Sequence, residues 1–553
     1  MTALAAGVAK ALADSGIRHA FGVVGGGNIL ATAALTEHGV HYTPARHEGG
    51  AMAMADAYYR VSGEVAVCTT THGPGLANIA TPLAEAVKNR SAVVLLCGDA
   101  PVAGPRPHDI DQSAFAASLG VPVVRLTDPA TAVEQAAQAV RRAAAEQRPV
   151  AVFLPGDLLA APLPQPQPPG TAAGQQPQAP SLRQPADPES VHQVVDILAG
   201  ARRPLLLAGL GAWRSQAGKI ITELGDRLGA LYATTVMASG LFHDTPWSLG
   251  VCGGFASPPA AELIGEADAV VVFGARLDTF TLHGGRLPAP GAVVIQVDTA
   301  EAATSDRVDV WVRGDAAMVA AQLLDSLDRA ELPPAGWRAE AEARIAAGGW
   351  PGQPHENAGT DTRIDPRTLT SALAPLLPEE RTVVTDGGHF IGWPAMYWAV
   401  PDPAGLVFTG AAFQSIGLGF AGAVGAAVGR PDRTAVLAVG DGGALMGLSE
   451  LDTLVRSARS ALVVVYDDAS YGFEEHMYLP QGADPRTTGF ADTDFAGLAR
   501  ALGAQAVTVR TPGDLDAVRH WRADGCRGTL LLDCKIVREV VAPYLADLLG
   551  ARH

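Results

Sequence analysis

Thr434-Ala-Val-Leu-Ala-Val-Gly-Asp-Gly-Gly443 opens a segment that closes at Ala461-Leu-Val-Val-Val-Tyr-Asp-Asp-Ala-Ser-Tyr471. Between these runs Leu448, Leu451, Leu454, Val455 and Ala458 recur at helical spacing, so the segment reads strand, glycine turn, helix, strand. In a parallel βαβ unit both strands point the same way, and both turns emerge at the carboxyl edge where open α/β sheets bind ligands. Asp441 and Asp468, 27 positions apart, therefore meet in space. Carboxylates suit a hard cation such as Mg²⁺, and Gly442 and Gly443 let amides at a helix start approach an anion closely. The pattern predicts a metal-bridged phosphate site; the plainer alternative is a turn followed by a solvated strand end.

The 553 residues carry 40 Lys and Arg against 57 Asp and Glu, a net charge of −17. That balance argues against nucleic-acid or anionic-membrane partners. It also means that a phosphate would be held by a metal and backbone dipoles rather than by a basic patch. Five scattered cysteines form no CxxC pair, the first ten residues lack a charged leader before an apolar core, and no apolar run is long enough to span a bilayer. A cytoplasmic location is expected.

Outward from the central segment, the chain repeats one theme. Apolar strand runs at Gly16–Val24, Val65–Thr70, Ala92–Cys97 and Val150–Leu154 alternate with helical stretches, one expected over Pro129–Glu146 with Asp128 as its cap. Pro162–Pro188 is rich in Pro and Gln and reads as a linker. Strand runs recur at Pro204–Gly211, Ala267–Gly274 and Ala292–Asp298, and then at Thr382–Thr385, Thr434–Val439, Ala461–Tyr466 and Thr529–Asp533. The expected fold class is α/β, with three doubly wound parallel-sheet domains at 1–162, 189–335 and 363–553 and a linker at 163–188.

Gly440-Asp441-Gly442, followed by Asp467-Asp468-Ala469-Ser470-Tyr471-Gly472, resembles the thiamine diphosphate-binding motif, in which Gly-Asp-Gly precedes an Asn-Asn pair and commonly Tyr-Gly. Both Asn positions are Asp here. The three-domain pattern is likewise similar to the acetolactate synthase and 2-oxo acid decarboxylase group, built from pyrimidine-binding, central and diphosphate-binding domains. The resemblance implies metal ligands at the carboxylates of Asp441 and Asp468 and the backbone carbonyl of Ser470. It places the cofactor against Gly440, Gly442, Gly443, Tyr471 and Gly472. A second carboxylate in place of an amide is expected to hold Mg²⁺ harder and to offset less of the diphosphate charge.

Other segments match the same group. Ala45-Arg-His-Glu48-Gly-Gly resembles the segment of the catalytic glutamate. A carboxylic acid at the pyrimidine N1′ lets the cofactor's own amino group act as base, and an apolar site would raise the pKa of Glu48 toward neutrality. The alternative is a carboxylate stabilised at a helix start. Thr70-Thr-His72-Gly73-Pro74-Gly75 resembles the Gly-Pro-Gly loop, where His72 either faces the reacting carbon or is a satisfied loop histidine. Phe21-Gly22-Val-Val-Gly25-Gly26-Gly27 looks like the first-strand turn, which brings in Gly25. Thr385-Asp386-Gly387-Gly388-His389 resembles the loop touching the diphosphate. In Phe413-Gln414-Ser415-Ile416, the match implies that Ile416 wedges between the rings and the Gln414 carbonyl accepts from the 4′-amino group; ordinary core is the alternative for Ile416.

Pro107-His108-Asp109-Ile110-Asp111-Gln112 stands where acetolactate synthases usually read Phe-Gln-Glu-Val-Asp, which leaves His108 either a substrate-facing proton donor or a solvated loop residue. Gly209-Leu-Gly211 and Gly274–Asp278 resemble the region where some relatives hold FAD, an option the sequence leaves open without predicting it. The reading implied is thiamine diphosphate- and Mg²⁺-dependent decarboxylation of a 2-oxo acid or related dicarbonyl, the enamine being protonated or ligated to a second carbonyl. Active sites are expected at the interface of a homodimer or homotetramer. Alternatives are carbon–carbon hydrolysis of a diketone on the same cofactor, a dinucleotide-dependent oxidoreductase using Gly25–Gly27 or Gly209–Gly211, and a non-catalytic cofactor-binding scaffold.

Overall fold

The computed structural model describes residues 3–107, 109–163, 184–330 and 333–550. Three six-stranded sheets follow one another along the chain, and every strand pair is parallel. The first holds β1 His19–Gly22, β2 His41–Pro44, β3 Ala66–Thr70, β4 Val93–Asp99, β5 Val123–Arg125 and β6 Val150–Pro155, in the order β2-β1-β3-β4-β6-β5. The second holds β7 Pro204–Ala208, β8 Leu231–Thr234, β9 Ser248–Val251, β10 Ala269–Phe273, β11 Val293–Asp298 and β12 Val310–Arg313, ordered β12-β11-β10-β7-β8-β9. The third holds β13 Arg381–Thr385, β14 Leu406–Phe408, β15 Thr434–Gly440, β16 Ser460–Asp467, β17 Gln505–Val509 and β18 Gly528–Lys535, ordered β14-β13-β15-β16-β18-β17.

The first and third sheets share one winding order, so β3 corresponds to β15 and β2 to β14. The two domains therefore have the same sheet topology. They also share a core. The helix Glu48–Ser62 lies along the helix Gly419–Gly429, with Met52, Met54 and Tyr58 buried among Phe420, Val424 and Ala427. Glycine permits this approach, because a Cβ at Gly425 would overlap the Met54 carbonyl oxygen.

The apolar-run reading identifies eleven of the eighteen strands. The seven it misses are the six sheet edges (β2, β5, β9, β12, β14, β17) and β8. An edge strand is covered on fewer sides, and β2, β5, β9 and β17 each leave most positions partly exposed, so no continuous apolar run marks them. The helix expected over Pro129–Glu146 starts later, at Ala132, with Thr131 as its N-cap. Asp128 instead closes the preceding turn, its side chain accepting from Ala130 N and its carbonyl from Ala132 N. Of the expected linker, 164–183 lies outside the described residues. Among the described residues no helix is long and apolar enough to cross a membrane.

Candidate active site

The register of β15 against β16 sets Gly440 beside Tyr466, so Asp441 and Asp467-Asp468 leave the sheet side by side. All three carboxylates are buried. The Asp441 Oδ1 accepts from Gly442 N at 2.8 Å, whereas its Oδ2 is buried with no hydrogen-bond partner. Burial, with Asp468 and then Asp467 alongside, raises the Asp441 carboxyl well above its ordinary value. Burial also raises Asp468, against the pull of Arg538.

A buried acceptor without a partner beside a second buried carboxylate is what a cation would relieve. The residues fit a divalent metal at this point. Among the described residues no group of three or more His, Cys, Asp or Glu side chains makes a cage by itself, so backbone and ligand oxygens would complete the shell. The loop after β16 is held in a fixed shape. Ala469 is held at φ +56°, Ser470 N donates to Asp468 Oδ1 at 3.2 Å, and Arg538 donates to the carbonyls of Asp468 and Ala469 at 2.9 and 2.8 Å. The Ser470 hydroxyl donates to Glu475.

Asp467 plays a different part from its neighbour. Lys535, at the end of β18, donates to its Oδ2 at 2.5 Å and to the Thr493 carbonyl at 2.6 Å, and lies 3.0 Å from Asp533. The ammonium thus offsets Asp467 and makes no bond to Asp468. Lys535→Met would strand two carboxylates in the interior and is expected to cost about 3–5 kcal/mol in a urea melt, with Asp467→Asn on the same chain restoring part of it.

Around this pair the glycines keep a cradle open. A Cβ at Gly442 would meet the Tyr471 ring at 2.5 Å, one at Gly443 the Asp386 carboxylate at 2.6 Å, and one at Gly472 the Asp468 carboxylate at 2.6 Å. Tyr471 itself is 38 % exposed and packs edge-on against Phe490. A Cβ at Gly440 would reach Phe390 at 3.0 Å. Asp386 is fully buried and accepts from Gly387 N, Gly417 N and Leu418 N. Burial lifts its pKa to about 6 against those amides. It thereby ties the loop after β13 to the loop carrying Ile416.

Ile416 is half-buried rather than part of a core, and a Cβ at Gly387 would come 3.0 Å from its Cγ2. Gln414 sits at φ +60°, a left-handed conformation uncommon outside glycine, in a turn closed by Ser415 N donating to the Gly410 carbonyl. Gly388, at φ +133°, leads into His389.

His389 is buried, and its Nε2 accepts from Ala542 N at 2.8 Å, so its proton sits on Nδ1. That nitrogen faces Gly472, whose Cβ would lie 3.5 Å away. Burial, with His476 beside it, pushes the His389 pKa down to about 3. A depressed histidine stabilises the fold fully above pH 6.5, and that stability is lost as pH falls toward 3. Each pH unit in the window costs up to about 1.4 kcal/mol. His389→Asn, which keeps an acceptor for Ala542, is expected to flatten that loss in urea melts compared at pH 7 and pH 5.

A second cluster forms at the carboxyl edge of the first sheet. Gly25 N donates to Asn28 Oδ1, Gly27 N donates to Thr71 Oγ1, and a Cβ at Gly27 would come 2.6 Å from His72 Nδ1. Gln112 pins the same loop, accepting from Gly73 N at 2.6 Å and donating to the Gly98 carbonyl. Glu48 begins its helix half-buried, capped by His47, and accepts from Asn78 Nδ2 at 3.0 Å. A Cβ at Gly75 would lie 3.6 Å from its Oε1. Glu48, His72 and the Gly25 turn are therefore neighbours, as are Asp441, Asp468, Ser470, Tyr471, Gly472, His389 and Ile416. His108 lies outside the described residues.

Three family models match in order: the thiamine pyrophosphate enzyme N-terminal TPP-binding domain over 2–119, the central domain over 191–323, and the C-terminal TPP-binding domain over 386–534. The chain belongs to the thiamine diphosphate-dependent enzymes, in their acetolactate synthase-like family. It is similar to a sulfoacetaldehyde acetyltransferase of Castellaniella defragrans, at 28% identity over 98% of this chain and 94% of the relative. It is similar also to the "Probable 2-ketoarginine decarboxylase AruI" of Pseudomonas aeruginosa, at 30% over 95% and 92%. A third relative is the acetolactate synthase isozyme 3 large subunit of Escherichia coli, at 26% over 92% and 90%.

Proposed function

We propose that the chain is a thiamine diphosphate- and Mg²⁺-dependent enzyme that decarboxylates a 2-oxo acid and passes the remaining carbon to a proton or to a second carbonyl. The observation that carries the reading is the partnerless, buried Asp441 Oδ2 beside Asp468, inside a cradle that a Cβ would fill at Gly442, Gly443 or Gly472. When bound, thiamine diphosphate supplies a nucleophilic carbon and an electron sink for breaking the bond beside a carbonyl.

The chain's own residues do the rest. Asp441, Asp468 and the Ser470 carbonyl would hold Mg²⁺ against the diphosphate, with amides of the Asp441–Met446 helix start and the Nδ1–H of His389 around it. Ile416 and the Gln414 carbonyl would hold the cofactor bent, and Glu48 would keep a proton at the pyrimidine N1′. His72 would face substrate. The domains are assigned as 1–162 for the pyrimidine, 189–335 as central and 363–553 for the diphosphate; no flavin is assigned to the central one.

The two half-sites carry uncovered apolar side chains: Val24, Ile29 and Leu30 beside the Gly25 turn, and Phe413, Leu445 and Met446 beside the metal loop, Met446 at 61 % exposure. Their exposure supports a homodimer or a homotetramer of such dimers, in which Glu48 of one subunit meets Asp441 of another. The test is proton NMR of enzyme, cofactor, Mg²⁺ and pyruvate, with and without benzaldehyde. Acetolactate, acetaldehyde or a mixed hydroxyketone is the expected result. Unchanged pyruvate, with cofactor binding confirmed separately, would turn the search to other donors and to diketone cleavage.

A further inference from the structure

Two buried glutamates outside the half-sites reach across the domain boundary in opposite directions. Glu85 lies on the helix Ala80–Lys88, which follows β3; Glu450 lies on the helix Ser449–Ser457, which follows β15. Those positions correspond in the shared winding of the two sheets. Glu85 accepts from Ala412 N at 3.2 Å and Phe413 N at 2.6 Å, the two amides just before Gln414. Glu450 accepts from Arg46 N at 3.0 Å and His47 N at 2.8 Å, the two amides just before Glu48. Both carboxylates are at most 2 % exposed.

We infer that Glu85 and Glu450 are a reciprocal pair of positioning residues, each setting, from the opposite domain, the loop that presents a working group of the cofactor site. The inference rests on the reading of Glu48 and Gln414 given above. Gln414 needs such a clamp because its left-handed backbone stores strain that the surroundings must fix. Glu48 needs one because it begins its helix, where ends fray. Each clamp is itself held. Glu85 also accepts from Asn89 at 2.9 Å and Glu450 from Thr453 at 2.6 Å. Gly50 lets Glu450 in, since a Cβ there would overlap its carboxylate. Charge-assisted bonds to backbone amides in a dry interior are the strong kind, and a displacement of about 1 Å at a working group costs of order a hundredfold in rate.

The experiment uses the full-length enzyme with thiamine diphosphate and Mg²⁺ and compares Glu450→Gln, Glu85→Gln and Gly50→Ala with Glu48→Gln. Three readouts are taken: kcat against pH, cofactor Kd by titration, and the near-ultraviolet circular dichroism of bound cofactor, which reports its pyrimidine tautomer. Glu450→Gln is expected to lower kcat by about tenfold to a hundredfold and to change the pH profile and the tautomer signal while cofactor Kd stays within about threefold. Gly50→Ala, which displaces the carboxylate without removing it, should reproduce that pattern. Glu85→Gln should instead raise the cofactor Kd about tenfold. Wild-type pH profile and dichroism in Glu450→Gln, or unchanged Kd in Glu85→Gln, overturns the inference. A Glu48→Gln enzyme that keeps full turnover would instead overturn the cofactor reading, whatever the clamps do.

Discussion

Glu48→Gln is expected to lower turnover by about 10²–10⁴-fold while leaving the melting transition within about 0.5 kcal/mol of wild type. The two side chains have the same shape, and a glutamine oxygen can accept from Asn78 as the carboxylate does. What the amide cannot do is hold an exchangeable proton at the pyrimidine nitrogen. Glu48 is held at the first helical position by the His47 cap and lies against Gly75 in the half-buried mouth of the first sheet. That arrangement gives the carboxyl a fixed direction without stabilising the fold through it. Rates under saturating cofactor, set beside a thermal melt, check the claim; equal losses in both would make Glu48 a structural residue.

Asp441→Asn is expected to act in opposite directions on the apoenzyme and on the holoenzyme. Without cofactor the carboxylate is a liability, buried beside two others with one oxygen unpaired. A carboxyl whose pKa is raised by folding favours the folded state most below its ordinary pKa, and that contribution is lost progressively as pH rises from there toward the raised value, a window that includes neutral pH. The amide does not titrate and carries no such loss, so the apo melting temperature at neutral pH should rise. Metal-dependent cofactor affinity should fall by about a hundredfold or more, since loss of a ligand exceeds loss of its supporting bonds. Asp468→Asn, restoring the amide usual in the family, should keep cofactor binding and weaken the hold on Mg²⁺. An Asp468→Ala protein with wild-type metal dependence would remove Asp468 from the ligand set.

The pairing of Asp441 with Asp468 was legible because the strand, glycine turn and strand of a βαβ unit leave strong local marks, and the geometry of parallel strands then brings the two carboxylates together. Thr385-Asp386-Gly387-Gly388 was legible as a loop matching the diphosphate-touching segment of the family, but not the part of its carboxylate, which ties the loop after β13 to the loop carrying Ile416 and becomes visible only once Gly417 N and Leu418 N are placed on it. Lys535 was hidden, because a lysine at a strand end reads as solvated until β18 is placed beside β16. Glu85 and Glu450 were hidden for a related reason. Each sits in a helix among residues of mixed polarity, and only the packing of one domain on another turns a surface-like carboxylate into a buried acceptor for backbone amides. Strands β2, β5, β9 and β17 were missed because a reading built on doubly buried runs cannot see a strand with one open side.

The most direct measurement is a calorimetric titration of thiamine diphosphate into cofactor-free wild-type enzyme, once with Mg²⁺ and once with EDTA. Saturable binding that needs the metal and is lost in Asp441→Asn is the predicted result. Binding of equal strength in EDTA, or in Asp441→Asn with Mg²⁺ present, would contradict the assignment of Asp441 and Asp468 as the metal-bridged diphosphate site.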